Sequence, residues 1–229
     1  APPGCGKSTL VVLIKFLLLQ IAEFENRGKV DYYDVKKQRV IVTVSQDDFY
    51  LTKADRKAKG IPSRMEMEGM DVDLCVEVLD LLSDRTRGKG AVVEAPRFSK
   101  AHDDREPIGT MIDEPVTAIL FEGWRVSIDH PLYLPLIDVP DFLLSIDVNI
   151  DEVKGWKFEQ SRRDATAAGI EWDEKKASAL EKAWDEKIVP VISEYSPRVQ
   201  KRADLVLSKG VGHVVTKIAG RISAFVHET

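Results

Sequence analysis

Apolar blocks alternate with polar stretches along the chain, and the spacing within the blocks separates strands from helices. A β-branched run at 39–45 (RVIVTVS) and an apolar run at 116–121 (VTAILF) are typical of buried parallel strands. Further strands are predicted at 142–146 and 203–207, with a short one at 91–95. Apolar residues at helical spacing predict helices at 8–26, 72–82, 151–168, 173–193 and 214–226. The segment 51–69 is polar without a clear period and is predicted to be a loop.

The order of these elements predicts the fold class. Strands that alternate with helices indicate an α/β protein with a mostly parallel sheet and right-handed crossovers. Ligands of such a sheet bind at the carboxyl ends of its strands. No internal repeat, low-complexity tract or linker interrupts the pattern, so we expect residues 1–229 to form a single domain.

Composition narrows the class of protein further. Apolar residues make up 44% and charged residues 31% of the 229 positions, as in ordinary globular proteins. The net charge of −5 argues against a nucleic-acid partner, because such proteins usually show a basic patch. The apolar stretch 10–21 is interrupted by Lys15 and Gln20, and no membrane partner is expected. Two cysteines, Cys5 and Cys75, indicate a reducing compartment, and the cytoplasm is the expected location.

The strongest chemical signal lies at the beginning of the chain, where residues 1–9 read APPGCGKST. In such a loop, glycines let successive backbone N–H groups face a phosphate, and the following helix adds its positive end. Lys7 is expected to reach the β- and γ-phosphates of ATP, and the Ser8 hydroxyl to bind Mg²⁺. Ala1 stands where the usual pattern has its first glycine. The predicted nucleotide contacts are Pro3, Gly4, Cys5, Gly6, Lys7, Ser8 and Thr9.

This loop assigns the α/β pattern to the P-loop NTPases, whose fold is a three-layer α/β/α sandwich with a mostly parallel sheet. A P-loop normally follows a buried strand, so we expect that first strand to lie upstream of residue 1. The alternative interpretation is a glycine-rich turn that opens a helix without binding phosphate.

Carboxylates follow the two strongest predicted strands. Asp47 and Asp48 come after 39–45, at the edge where a parallel sheet places catalytic groups. A kinase of small alcohols needs a carboxylate that accepts the hydroxyl proton or orients the oxygen, and Asp47 is the first candidate. Either aspartate could instead cap a helix or turn. Glu122 follows 116–121 and is expected to hold Mg²⁺, directly or through water.

Two groups of basic residues are candidates for binding anions. Arg97, Lys100 and Arg105 precede the strand at 116–121, and guanidinium groups suit carboxylates and phosphates. A solvated, charged loop is the alternative. Arg162 and Arg163 stand late in a predicted helix, where lid arginines of P-loop kinases stabilise the transferring phosphoryl group. The alternative for them is a basic helix end that complements the helix dipole.

Four strings of residues together resemble a known family. APPGCGKSTL, SQDDFYLT, PRFSK followed by DDRE, and ILFEGW run in order over roughly the first half of the chain. They resemble the phosphoribulokinase/uridine kinase group of P-loop kinases, and most of all the D-glycerate 3-kinases. Those enzymes also have alanine at the first position of the loop, which accounts for Ala1.

The resemblance implies roles for individual residues. It assigns the nucleotide phosphates and Mg²⁺ to Lys7 and Ser8, proton acceptance to Asp47 and the metal-side carboxylate to Glu122. On the acceptor side it implies contacts from Asp48, Tyr50, Arg64 and Asp71. Two departures fall on that side, since Met70 replaces a histidine and Ser99 stands where related nucleoside kinases tend to have aspartate.

The function expected from these features is transfer of the γ-phosphoryl group of Mg·ATP to the hydroxyl of a small acceptor. D-glycerate is the first candidate, and the basic residues around Arg97 favour an anionic acceptor. One alternative is a kinase of a nucleoside or of a pantothenate-type alcohol. Another is a regulatory ATPase that hydrolyses ATP without a small-molecule acceptor.

Overall fold

The computed structural model describes residues 1–26, 40–86, 92–167 and 169–220. These residues form two compact units. We call Ser8–Gly123 the central unit, and Ala1–Lys7 together with Trp124–Thr229 the terminal unit. Within the described ranges, no helix combines the length and apolar character needed to cross a membrane.

In its described residues, 8–26, 40–86 and 92–123, the central unit contains three helices and six strands. The helices are α1 (Lys7–Asn26), α2 (Lys53–Ala58) and α3 (Val72–Thr86). The strands are β1 (Val40–Ser45), β2 (Val93–Ala95), β3 (Phe98–Ser99), β4 (Asp104–Arg105), β5 (Thr110–Ile112) and β6 (Val116–Glu122). Short 3₁₀ turns lie at Gln46–Phe49 and Met67–Gly69. Strands β1 and β6 pair in parallel, whereas β2 pairs with β5 and β3 with β4 in antiparallel fashion.

The pairing of β1 with β6 positions the functional residues of this unit. Its register aligns Ser45 with Glu122 at the carboxyl ends of the two strands. Helix α3 packs on β6 with one apolar face, because Cys75, Val78, Leu79 and Leu82 recur at helical spacing and are all buried. Helix α3 therefore stabilises the strand pair whose carboxyl ends carry Ser45 and Glu122.

The terminal unit is built on a second group of strands. These are β7 (Leu144–Val148), β8 (Leu205–Lys209) and β9 (Val215–Gly220), in the order β7–β8–β9. The first pairing is parallel and the second is antiparallel. Helices α4 (Ile150–Ala167), α5 (Glu174–Ala183) and α6 (Val189–Arg202) lie between β7 and β8 along the chain, and 3₁₀ turns occupy Pro131–Leu136 and Val211–His213.

A wide π-helical turn, Trp184–Ile188, joins α5 to α6. Pro190 stands in the first turn of α6 and has no N–H to donate to the preceding turn, which interrupts the regular helical ladder. Trp184 and Ile188 are nonetheless buried, so the π turn belongs to the core of the terminal unit.

The α/β class and the parallel pairing predicted from the sequence are confirmed. The predicted strands at 116–121, 142–146 and 203–207 correspond to β6, β7 and β8 within a few residues. The predicted strands at 39–45 and 91–95 are seen as β1 and β2, with residues 39 and 91 outside the described ranges. Residue 168, the last of the predicted helix at 151–168, is also outside them.

Three predictions of secondary structure were wrong in part. The predicted loop at 51–69 contains α2, which begins where the Thr52 hydroxyl accepts a hydrogen bond from the Asp55 N–H. The predicted helix at 173–193 is divided by the π turn and runs on to Arg202. The predicted helix at 214–226 is strand β9 as far as it is described, because its β-branched residues extend along β8. Residues 221–226 of that prediction lie outside the described residues.

Candidate active site

Glu122, at the end of β6, lies next to two serine hydroxyls. Ser8 Oγ and Ser45 Oγ each donate a hydrogen bond of 3.1 Å to Glu122 Oε1. Ser8 stands in the first turn of α1, and Ser45 is opposite Glu122 in the parallel register. The structure thus brings together Ser8 and Glu122, the two residues predicted to hold the metal. Ser45 is an addition that the sequence analysis missed, and its only sequence signal is its place at the end of a predicted strand.

The oxygens at Glu122 fit a magnesium ion. Ligands of Mg²⁺ lie about 2.1 Å from the ion in an octahedral shell, which places neighbouring ligand oxygens about 3 Å apart. Ser8 Oγ and Glu122 Oε1 are separated by 3.1 Å. In the described part of the chain no group of three or more His, Cys, Asp or Glu side chains could hold a metal ion. A hydroxyl and one carboxylate suit Mg²⁺, which keeps several waters and is often completed by substrate phosphates.

Asp47 and Asp48 lie in the 3₁₀ turn that follows β1, and their side chains have different partners. Asp47 Oδ2 forms an ion pair with Lys100 Nζ at 2.7 Å, and its side chain is 28% exposed. Asp48 Oδ1 accepts a hydrogen bond of 3.0 Å from the Phe98 N–H. Burial raises the pKa of Asp48, and the neighbouring negative charge of Asp47 adds to that effect. Asp47 therefore presents an accessible carboxylate, whereas Asp48 anchors the strand β3.

Gly123 allows the chain to leave β6 past the buried side chain of Gln46. A Cβ at position 123 would lie 2.4 Å from Gln46 Cβ and 2.4 Å from Gln46 Oε1. Such an approach is far inside van der Waals contact, and Gln46 is only 2% exposed. Glycine is thus required at this position to keep the turn that carries Asp47 beside the end of β6.

We expect Gly123→Ala to lower the free energy of unfolding by about 1–3 kcal/mol, the usual cost of overpacking a core. Urea denaturation followed by circular dichroism measures this change. Gly155→Ala in α4 is the matched control, since a Cβ there would meet nothing within 4 Å. A Gly123→Ala protein with the unfolding midpoint of the unchanged chain would contradict the packing described for Gln46.

The arginines predicted to bind the acceptor are engaged in pairs within the central unit. Arg105 Nη2 contacts Asp71 Oδ2 at 3.0 Å, and Arg105 Nε donates to the Tyr50 carbonyl at 2.9 Å. Arg64 forms an ion pair with Asp103. Tyr50 is buried, and its ring packs edge-on against Phe98. These contacts stabilise the β3–β4 hairpin, and a substrate role for these residues stays a prediction.

Two basic side chains near the carboxylates remain exposed to solvent. Arg97 is 59% exposed and lies 3.5 Å from Glu106 Oε2, while Lys100 is 63% exposed and contacts Asp47. Of the predicted acceptor-binding cations, these two are the ones that present most of their side chain to a ligand.

The predicted phosphate loop, in the terminal unit, contains two glycines with positive φ angles. Gly4 and Gly6 have φ angles of 87° and 83°, which residues with a Cβ rarely adopt. Lys7 Nζ donates a hydrogen bond of 2.7 Å to the Pro2 carbonyl, so the lysine folds back over its own loop. A Cβ at Gly4 would also lie 3.1 Å from Lys157 Cβ, which shows that α4 packs directly against the loop.

A second lysine contacts the loop and was missed by the sequence analysis. Lys209, the last residue of β8, donates through Nζ to the Cys5 carbonyl at 3.0 Å. Its Nζ lies 3.2 Å from the position that a Cβ at Gly6 would occupy. The only signal in the sequence is a lysine at the end of the last predicted strand, where a parallel sheet presents ligand-binding groups.

His213 completes the surroundings of the loop. Its Nδ1 lies 3.7 Å from the Cβ position of Gly6, and its ring packs on Trp156 with centroids 3.9 Å apart and a tilt of 34°. Burial and the positive charge of Lys209 lower the pKa of His213, so the neutral imidazole is favoured near pH 7. No role was predicted for this histidine from the sequence.

The two predicted lid arginines lie on the exposed part of α4. Arg162 Nη2 is 3.0 Å from Glu159 Oε2, and Arg163 Nε is 3.7 Å from Glu159 Oε1. They line an open groove together with Thr166, Ala167 and Trp172. Lys157, rather than either arginine, is the α4 residue seen against Gly4, and the lid role of the arginines stays a prediction.

The sequence is similar to those of two kinases. No family model matches the sequence. A chloroplastic D-glycerate 3-kinase of Arabidopsis thaliana is 31% identical over 160 residues, which cover 64% of this chain and 31% of the relative. A pantothenate kinase of Limosilactobacillus reuteri subsp. reuteri is 26% identical over 226 residues, covering 93% of this chain and 68% of that protein. The chain thus spans about a third of the first relative and two thirds of the second.

A solved structure shows the same fold. The D-glycerate 3-kinase from Cryptococcus neoformans var. grubii superposes with a TM-score of 0.68 and 15% identity, over 83% of each chain. The resemblance predicted from the four sequence strings is confirmed by these relatives. The chain has the α/β fold of a P-loop kinase and is similar to D-glycerate 3-kinases.

Proposed function

We propose that this chain is an ATP-dependent kinase that transfers the γ-phosphoryl group to a hydroxyl of a small acceptor, with D-glycerate as the first candidate. The observation that carries the proposal is the arrangement at the ends of β1 and β6. Ser8, from the helix that the phosphate loop opens, contacts Glu122, and the neighbouring strand leads into the accessible carboxylate of Asp47. A chance glycine-rich turn gives no reason for these residues to meet.

The roles follow from the chemistry of each group. The loop N–H groups and Lys7 bind the nucleotide phosphates, because they supply positive charge and backbone donors. Lys209 and His213 extend that surface within the terminal unit. Ser8 and Glu122 hold Mg²⁺, which neutralises the charge that develops on the phosphate oxygens. Arg162 and Arg163 are the proposed lid residues that add positive charge near the transferring group.

Asp47 is proposed to accept the proton of the attacking hydroxyl. Phosphoryl transfer depends mainly on positioning and electrostatics, and a carboxylate that orients the hydroxyl and takes its proton is the group that a kinase supplies. Asp47 lies in the 3₁₀ turn that Ser45 caps. Ser45 Oγ accepts a hydrogen bond of 3.4 Å from the Asp47 N–H. The backbone that carries this carboxylate is thereby anchored at the carboxyl end of β1.

Glu122→Gln is expected to weaken the use of magnesium without removing the hydrogen bonds that organise the site. The amide keeps an oxygen for Ser8 and Ser45 but loses the charge that attracts the ion. We expect the magnesium concentration that gives half-maximal activity to rise about 10- to 100-fold, which is the usual loss of metal affinity when a residue of a metal site is replaced. A magnesium titration of ADP release measures it, and an unchanged titration curve would remove Glu122 from the metal site.

A second acceptor class has its own support. The pantothenate kinase relative matches almost the whole of this chain, although at lower identity than the D-glycerate 3-kinase. Pantothenate is also an alcohol that carries a carboxylate, so the exposed cations Arg97 and Lys100 suit either acceptor.

A panel of acceptors tests the proposal. ADP release from Mg·ATP is measured with D-glycerate, with pantothenate, with uridine and without an acceptor. The proposal predicts acceptor-dependent release with D-glycerate. ADP release with uridine and with no other acceptor would show that the acceptor is a nucleoside. ADP release at the same rate with and without each acceptor would identify a regulatory ATPase. The reducing cytoplasm is the proposed location, and the chloroplastic relative makes a plastid the competing one.

A further inference from the structure

Lys100 holds the carboxylate that the proposed mechanism uses. Lys100 Nζ lies 2.7 Å from Asp47 Oδ2, while the lysine side chain is 63% exposed and the aspartate side chain 28% exposed. An ammonium group at this distance attracts the carboxylate and competes with an acceptor hydroxyl for its oxygens. In the protein without its acceptor, the proposed base is therefore partly neutralised.

We propose that Lys100 senses the charge of the acceptor: an anionic group of the acceptor takes the Lys100 ammonium from Asp47 and so makes Asp47 available as the base. This inference rests on the kinase function proposed above and deepens it. It assigns to Lys100 the preference for an acceptor whose carboxylate and reacting hydroxyl belong to one molecule.

The position of Lys100 opposite Asp47 is fixed by the hairpin that carries it. Lys100 follows β3, whose Phe98 N–H is bound by Asp48 Oδ1 at 3.0 Å. On the other arm, Asp104 Oδ1 accepts a hydrogen bond of 3.0 Å from the Lys53 N–H. The hairpin is thus anchored on both arms to the segment that follows Asp47, and the lysine returns to the same place after each exchange of partner.

Further contacts hold the turn of the hairpin. Asp103 has a φ of 54° and binds Arg56 Nη2 at 2.6 Å, and Arg56 is itself buried with its Nη1 on the Leu51 carbonyl at 2.7 Å. Arg56 also lies over the ring of Phe98, 6.0 Å from its centroid. Arg56 and Arg64 are thus committed to the frame of the hairpin, whereas Lys100 extends from that frame into solvent.

The exchange of partners costs little. An ion pair between exposed groups contributes little net stability, so a second carboxylate can replace the first without a large barrier. Arg97 is exposed two positions before Ser99, and its charge, like that of Lys100, acts on Asp48. An incoming carboxylate therefore meets two positive charges at this hairpin, and it leaves Asp47 beside the acceptor hydroxyl.

The transfer step balances without any further reagent. The acceptor hydroxyl gives its proton to Asp47, and its oxygen forms a bond to the γ-phosphorus of ATP. The bond between that phosphorus and the β–γ bridging oxygen breaks, and ADP leaves with the electron pair. Asp47 then gives this proton to solvent, and release of the phosphorylated acid returns Lys100 to the Asp47 carboxylate.

Lys100→Met tests the inference with a matched pair of acceptors, D-glycerate and its uncharged carboxamide, D-glyceramide. In the unchanged protein D-glycerate is expected to be preferred. The variant should lower kcat/KM for D-glycerate about 10- to 100-fold, the value of a hydrogen bond to a charged partner. It should raise kcat/KM for D-glyceramide to the level that acetate gives in the unchanged protein, because the ammonium that engages Asp47 is gone. Added acetate should raise turnover of D-glyceramide in the unchanged protein and have no effect in the variant. Lys57→Met, an exposed lysine of the same unit, is the control and should match the unchanged protein.

The outcomes separate this inference from the proposed function. If the unchanged protein phosphorylates D-glycerate, a Lys100→Met variant that keeps its preference over D-glyceramide overturns the inference alone. The inference also fails if acetate does not stimulate the unchanged protein. If the unchanged protein phosphorylates neither compound, the proposed acceptor is wrong. Calorimetric binding of D-glycerate then tests whether Lys100 contacts a carboxylate. Weaker binding by Lys100→Met then supports the carboxylate contact, and equal binding by both proteins excludes it.

Discussion

Asp47→Asn is expected to lower kcat for phosphoryl transfer about 10²- to 10⁴-fold, the usual contribution of a positioned general base. Asparagine has the same shape and preserves the N–H contact with Ser45, but its amide cannot accept the hydroxyl proton. Affinity for ATP should be unchanged, because the proposed nucleotide contacts come from the phosphate loop. Single-turnover transfer and a fluorescent-nucleotide titration measure the two quantities on the same preparation.

Asp80→Asn provides the control for this prediction. Asp80 is an exposed carboxylate of α3, so loss of its charge should leave both quantities as they are. If Asp47→Asn keeps the turnover of the unchanged protein, Asp47 is not the base. If both ATP binding and transfer are lost, Asp47 has a structural role in the turn after β1.

Lys7→Met is expected to lower kcat about 10²- to 10³-fold, as removal of one preorganised charge from a transition state usually does. The Lys7 ammonium contacts the Pro2 carbonyl and is proposed to leave it for the β- and γ-phosphates when ATP binds. Methionine keeps the length of the side chain without the charge. Affinity for ATP should fall as well, in contrast to Asp47→Asn.

Lys182→Met is the matched control for Lys7, because Lys182 is an exposed lysine of α5 in the same unit. Turnover and nucleotide affinity of the two variants are compared at one magnesium concentration. A Lys7→Met protein with the turnover of the Lys182→Met protein would show that the loop does not handle the transferred phosphate. It would leave the chance glycine-rich turn as the interpretation of residues 1–9.

The parts of the fold that could be predicted are those fixed by local sequence. The β-branched run at β1 and the apolar run at β6 favour strands, and both strands were found, although Val116 is the one buried residue of β6. The contact between Ser8 and Glu122 was expected from the order of loop, helix and strand in P-loop proteins. In these places the local pattern and the fold favour the same structure.

What the sequence could not show depends on contacts between distant residues. Strand β9 is a strand because it pairs with β8, although the apolar spacing of its residues resembles a helix. Lys209 reaches Cys5 from 204 positions away, and no local pattern predicts that contact. The pairing of Lys100 with Asp47 likewise requires the hairpin anchored by Asp48. The sequence of that hairpin indicates only a polar loop.

The central claim, that the chain transfers a phosphoryl group to a hydroxyl, is tested most directly by ³¹P NMR of a reaction containing Mg·ATP and D-glycerate. The account predicts that the γ-phosphate signal of ATP decays while a phosphomonoester signal grows by the same amount. Without an acceptor the γ-phosphate signal should persist. A γ-phosphate that appears as inorganic phosphate at one rate with and without acceptor would contradict the account and identify an ATPase.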